Sequence, residues 1–181
     1  MNELRIRHAT ASDVHGLLDL YEATQRWLMD QGSDQWANNT RDKMRPRFMR
    51  SIEQGECYIA EDGGRLVGTV TVDDYADPEF WQPEDRPDTA LYVHRMAVDR
   101  AKSGRNIGGA LLDWAAGVAA SKGRRWLRLD AWRTNEALHH YYERQGFAPV
   151  RVVDLAHRGS GALFQRAAFP PHRLLRTRAA Y

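Results

Sequence analysis

Polar and apolar residues alternate along LRIRH at positions 4 to 8, and Thr10-Ala-Ser12-Asp13 then offers capping side chains ahead of Leu17, Leu18, Leu20 and Tyr21. This pattern predicts a strand followed by a helix that runs to about Asp30. QGSDQWANNT (31 to 40) breaks that helix, and RDKMRPRFMRSIEQG reads as a second, charged helix interrupted at Pro46. CYIAED and RLVGTVTVDD are β-prone runs joined by Gly63-Gly64, a pair that accepts the positive φ of a tight hairpin. YADPEFWQPEDRPD (75 to 88), with three prolines and five acidic residues, predicts a long loop, a candidate lid or substrate wall.

From Thr89 the periodicities sharpen. ALYVHRMAVD alternates as a strand, and a glycine-bearing turn leads to a helical apolar face at Ile107, Leu111, Trp114, Ala115 and Val118 that Gly123 stops. RWLRLDAW (125 to 132) alternates again, Thr134-Asn135 precedes a helix through Gln145, and Gly146 ends it before Phe147-Ala148. VRVVDL and GALFQR close the chain as two more strands. Without an internal repeat or a linker-like stretch, the reading is one α/β domain around a mixed sheet.

Composition narrows the function classes. A 181-residue chain that is 43% hydrophobic, with six Trp and seven Tyr, has apolar area for one substantial core. With 28% charged residues and no apolar run near the ~18 residues of a membrane span, no membrane association is expected. The N-terminal residues contain no apolar signal core, and the single cysteine, Cys57, suits a reducing cytoplasm, the expected location. A net charge of +2 falls short of a nucleic-acid binder's basic stripe. PPHRLLRTRAAY (170 to 181) does concentrate arginine, so residues 1–168 are expected to form the domain and 169–181 a basic tail. Those arginines are the only support for a rival reading as a nucleic-acid partner acting on charged transfer RNA. His139 and His140 are adjacent rather than one turn apart, so no metal is expected.

Chemistry concentrates in Ser103-Gly104-Arg105-Asn106-Ile107-Gly108-Gly109-Ala110, where a strand ends and a helix begins. The first helical turn has N–H groups without intrahelical partners and a partial positive charge, and small residues let a phosphate approach. Arg100, Lys102 and Arg105 add charge. The spacing matches neither a nucleoside-triphosphate loop nor a dinucleotide fingerprint. A packing role for the glycines stays open.

A strand ending in RMAVD, a basic glycine-bearing turn, a helix with an LLDWA core, a strand, and then Asn135, Ala137 or Leu138, Tyr142, Gly146 and Phe147 at N-x-x-A-x-x-x-Y-x-x-x-G-F spacing resemble the GNAT superfamily of acyl-CoA-dependent N-acyltransferases. The resemblance covers residues 57 to 166 most closely. It departs at the phosphate turn, usually [QR]xxGx[GA]: Ser103 stands at the basic position and Asn106 at the first glycine. Asn accepts left-handed backbone better than other non-glycine residues.

The resemblance implies a central, twisted, mostly antiparallel mixed sheet of about six or seven strands flanked by about four helices and splayed between the fourth and fifth strands. It implies acetyl-CoA as cosubstrate, with backbone groups of Met96, Ala97 and Val98 on the pantetheine and Gly104, Arg105, Asn106, Ile107, Gly108, Gly109 and Ala110 around the phosphates. Asn135 occupies a position whose side chain bonds the pantetheine, with a helix cap as the competing role. Tyr142 occupies the general-acid position. A phenol at ~10 protonating a thiolate at ~8.5 costs about 2 kcal/mol, so a hydrogen bond can serve instead. Acceptor recognition is implied for the first helices and loops, hence Trp27, Trp36, Phe80 and Trp81, with the acidic run Asp73 to Asp88 attracting a cation; core packing is the alternative for each tryptophan.

The implied reaction is acetyl transfer to a primary amine of a small molecule or peptide in a ternary complex; the alternative is a catalytically silent CoA-binding domain. A lysine-like amine near ~10.4 is free base in only about one molecule in a few thousand at pH 7, roughly 4 to 5 kcal/mol, so a base is useful. Tyr92, His94, Met96 and Val98 share one face by period two, which makes His94 the candidate base, against an ordinary hydrogen-bonded histidine. Asp130 is the second candidate at the acceptor, against a salt bridge to an arginine. Edge strands and the C-terminal segment would suit a homodimer.

Overall fold

The computed structural model describes residues 4–170, so the basic tail beyond Pro170 lies outside the described residues. Seven strands and four α-helices are present among them. In chain order these are β1 (Leu4–His8), α1 (Val14–Asp30), α2 (Arg41–Glu53), β2 (Cys57–Asp62), β3 (Arg65–Asp73), β4 (Ala90–Val98), α3 (Ile107–Ser121), β5 (Trp126–Trp132), α4 (Glu136–Arg144), β6 (Ala148–Val152) and β7 (Ser160–Ala167). The strands form one sheet in the order β1-β2-β3-β4-β5-β7-β6. The β4–β5 ladder is parallel and the β1–β2, β2–β3, β5–β7 and β6–β7 ladders are antiparallel. The parallel ladder runs from Ala90↔Trp126 to Tyr92↔Arg128.

The described residues divide into two compact units, one formed by 4–71 with Arg95–Leu111, the other by Val72–His94 with 112–170. In the first unit, Val14, Leu17, Leu18 and Tyr21 of α1 meet Met44 and Phe48 of α2 and Cys57 and Ile59 of β2 in a continuous core. Gly63 and Gly64 take φ 58° and 79°, closing a two-residue hairpin in which Asp62 faces Arg65. The expected break at Pro46 does not occur: α2 runs through it. Pro46 lies on the exposed side together with Asp42, whose carbonyl loses its N–H donor, while Met44 and Phe48 are in the core.

Entry to α1 is fixed electrostatically. Arg7 donates to both Asp13 oxygens at 2.8 and 3.0 Å, and Thr10 N–H donates to Asp13 at 2.7 Å. The hydrogen-bonded Arg7 guanidinium holds the Asp13 carboxyl down at about 2, from an ordinary 3.8. A carboxyl with a depressed folded-state pKa contributes stability above its unfolded value and loses it as pH falls through the folded one. Asp13→Asn should therefore lower stability at pH 7 yet flatten its decline between about pH 4 and 2, read from urea unfolding curves across that window. An unchanged acid limb would refute the assignment.

In the second unit, the segment 75–88, a candidate lid or substrate wall by sequence, lies as a strap with its aromatics docked in the core. Phe80 and Trp81 are 0% and 4% exposed and pack with Ala90, Tyr92 and Leu163. Asp85 takes a two-pronged bond from Arg151, which also donates to Phe80 O at 2.7 Å, and Arg128 donates to Asp85 O at 2.9 Å. Arg158 pairs with Asp77 and Glu79 at 2.8 and 2.9 Å, and His157 bonds Glu79 at 2.9 Å. These pairings engage Asp77, Glu79 and Asp85 of the acidic run that was expected to attract a cation.

Candidate active site

The basic turn of the first unit is built from the end of β4. Asp99 N–H donates to Val67 O at 2.8 Å and its carboxylate accepts from Ala101 N–H at 2.9 Å, starting a short 3-10 turn over Arg100–Lys102. Gly104 and Asn106 then take φ 86° and 51°. Asn106 adopts the left-handed conformation that the family's glycine would supply. A Cβ added to Gly109 would collide with Asn106 Oδ1, so the Asn side chain folds over the first turn of α3 into space that only glycine leaves. Ile107, Gly108 and Gly109 are buried, and Ala110 N–H is the first to reach back, to Asn106 O at 3.0 Å. Among the described residues the N–H groups of Asn106 to Gly109 make no such backbone bond, so this turn fits a phosphate.

Its cations are partly committed. Asp62, at the end of β2 with a side chain only 5% exposed, pairs with Lys102 Nζ at 3.2 Å and with Arg105. Lys102 first, then Arg105, holds the Asp62 carboxyl below the usual carboxylate range. Arg100 lies 3.4 Å from the Trp27 ring centroid, a cation–π contact, so Trp27 is capped by a cation rather than standing as an open wall. Trp36, expected as another wall, stacks on Tyr21 with centroids 4.4 Å apart and packs against the first unit's core. At the end of β4, Ala97 is 3% exposed while Met96 and Val98 are half-buried.

β4 corrects one expectation. Arg95 sits at φ 49°, a left-handed residue inside a strand, which interrupts the two-residue alternation as a bulge does. The single face expected to carry Tyr92, His94, Met96 and Val98 is therefore broken between His94 and Met96.

In the second unit, Asn135 caps α4: its Oδ1 accepts from Leu138 N–H at 3.0 Å. Capping, left open by the sequence, is the role its geometry displays. Seven residues on, Tyr142 is 8% exposed in an aromatic nest of Tyr141, Phe147 and Phe164, with ring centroids 5.5, 5.7 and 5.9 Å away. Among the described residues its hydroxyl has no hydrogen-bond partner. Burial pushes the phenol well above its ordinary value, with the charges of Tyr141 and Asp130 acting in the same direction. Tyr142 thus keeps its proton throughout the neutral range and is available there as a donor. Asp130, half-buried on β5, acts on Arg158 as well. Trp81, the third expected wall, is interior: it lies 5.6 Å from Tyr92, with Arg128 4.8 Å from its ring centroid.

His94 Nε2 lies 3.0 Å from Asp73 Oδ1, and the two side chains are 21% and 12% exposed. The same oxygen accepts Tyr75 N–H at 3.0 Å. Asp73 and Asp62 are the two residues whose site roles the sequence reading missed. Each acts across a separation of 21 or more positions with no local motif to mark it. Among the described residues no cluster of three or more His, Cys, Asp or Glu side chains is placed to hold a metal, and no helix is long and apolar enough to cross a membrane.

Comparison with known proteins matches residues 53–149 to a family model described as an acetyltransferase (GNAT) domain. An uncharacterized N-acetyltransferase of Bacillus subtilis, YesJ, is 28% identical over 143 residues, 77% of this chain and 78% of that protein. A GNAT-family acetyltransferase from Listeria monocytogenes superimposes with a TM-score of 0.76 at 28% identity, covering 92% of this chain and 95% of that one. The PaiA N-acetyltransferase of Thermoplasma acidophilum, solved in complex with coenzyme A, shares the fold at a TM-score of 0.67 and 18% identity, covering 91% and 99%.

Proposed function

The chain belongs to the GNAT family of acetyltransferases, and from that premise we propose that it transfers an acetyl group from acetyl-CoA to a primary amine of a small molecule or peptide by direct attack in a ternary complex. Acetyl-CoA supplies the activated acyl carbon and a thiol leaving group. The observation that carries the transferase reading is Tyr142, a buried phenol with a raised pKa and an unengaged hydroxyl at the motif position seven after Asn135. It donates a hydrogen bond to the departing sulfur, and its raised pKa favours that bond over full proton transfer. The backbone amides of Asn106 to Gly109 hold the pyrophosphate at the start of α3, and Met96 to Val98 offer backbone groups to the pantetheine arm. His94 removes a proton from the amine.

The test is acceptor-dependent release of CoA across an amine panel, alongside calorimetric binding of acetyl-CoA. Binding with turnover upholds the reading. Binding without turnover on any amine points to a silent CoA-binding domain, and no binding overturns both. Gly109→Ala adds a second check. Alanine suits a helix better than glycine, so folding is preserved, but its Cβ would collide with Asn106 and expel that side chain from the turn. Acetyl-CoA affinity should fall about 10-fold, or ~1.4 kcal/mol, by calorimetry; unchanged affinity would remove the turn from the cofactor site.

A further inference from the structure

Asp73 ends β3 and His94 lies on β4, both in the second unit, and their 3.0 Å contact joins residues 21 positions apart. Asp73 is itself held, because the oxygen that meets His94 also accepts Tyr75 N–H, closing a local turn where the strand stops. A carboxylate that accepts a hydrogen bond from one ring nitrogen selects the tautomer with the proton there. The proton therefore sits on Nε2, and the lone pair is on Nδ1. Among the described residues Nδ1 has no hydrogen-bond partner.

We propose that Asp73 is a positioning residue that fixes His94 in its Nε2–H tautomer and presents Nδ1 as the group that takes the proton from the acceptor ammonium. This rests on the acetyl-transfer reading and goes beyond it in assigning a tautomer, an atom and an orienting carboxylate. The ammonium loses one proton to Nδ1, and the freed nitrogen lone pair forms the new C–N bond as the C–S bond breaks. Nitrogen loses its second proton as the amide forms, which balances the proton taken by sulfur, and His94 releases the first to water. The Asp73 carboxylate stabilises the imidazolium in between, without taking the proton itself.

The test compares Asp73→Asn, His94→Ala, the double variant and wild type. In Asp73→Asn one atom position faces both Nε2 and Tyr75 N–H, so an amide nitrogen placed there gives up the Tyr75 bond, and a urea unfolding curve of the variant checks that the fold is kept without it. That amide nitrogen can donate to Nε2, which moves the ring proton to Nδ1. Long-range nitrogen–proton NMR spectra of the histidines should show the Nε2–H form of His94 in wild type and its loss in Asp73→Asn, with no substrate present. kcat should fall about 10- to 100-fold in Asp73→Asn with KM for acetyl-CoA unchanged, and the double variant should be no slower than His94→Ala, as expected for residues acting as a unit. An unchanged tautomer and kcat in Asp73→Asn, with His94→Ala impaired, overturns the role of Asp73 alone. Full activity in His94→Ala overturns the proposal while acetyl transfer stands. A tautomer shift in a protein that turns over no amine leaves the pair a structural contact and overturns both this proposal and the transferase reading.

Discussion

Tyr142→Phe should lower acceptor-dependent CoA release by about 10²- to 10³-fold while leaving acetyl-CoA affinity within about twofold of wild type. The substitution removes one hydroxyl and keeps the ring that packs against Tyr141, Phe147 and Phe164 at 5.5 to 5.9 Å, so the fold is retained. What disappears is a donor that burial keeps protonated at every working pH. Because the lost bond strengthens as charge grows on sulfur, the loss falls on kcat rather than on binding. The pH dependence carries a second sign. A phenol raised above its ordinary value does not titrate between about pH 6 and 9, so the shape of the wild-type profile in that window should persist in the mutant at a lower level. A mutant within about threefold of wild type would leave Tyr142 a packing residue of α4.

Phe80→Ala should destabilise the protein by about 3 to 5 kcal/mol in urea unfolding, the range for large-to-small changes at fully buried aromatic positions. Phe80 is 0% exposed, it packs with Trp81, Tyr92 and Leu163, and the Arg158 guanidinium stands 4.6 Å from its ring centroid. The cavity cannot collapse readily, because Asp77 and Asp85 on either side of Phe80 are tied to Arg158 and Arg151. This distinguishes a strap from a lid: truncating an aromatic on a swinging lid would alter opening rates and leave unfolding nearly unchanged. A loss below about 1 kcal/mol would restore the lid reading of this proline-rich segment.

The two outcomes bear on how far the sequence could be read. Strands and helices with strong periodicity, among them β1, α1, β4, α3 and α4, were legible, and so was the Gly63-Gly64 hairpin, because each is specified by neighbours within a few residues. Pro46 misled because its local cost is outweighed by Met44 and Phe48 in the core, which no local pattern reports. The Asn106 departure was legible as tolerable, since left-handed propensity belongs to the residue alone, and φ 51° follows. The bulge at Arg95 was not, because nothing in an arginine announces a positive φ within a strand.

The sequence itself carried the order of the elements and, through the family resemblance, the roles expected of Tyr142 and the glycine-bearing turn. These depend on short-range periodicity and on residue types at fixed offsets. Only the tertiary structure decided which charges meet: Asp62 with Lys102 and Arg105, Asp73 with His94, Asp85 with Arg151 and Arg100 over Trp27. With 26 basic and 24 acidic residues, the sequence permits hundreds of pairings of similar intrinsic strength. Coulomb attraction carries no address, so the partner is set by the backbone that brings two positions within reach and by the burial that keeps water out.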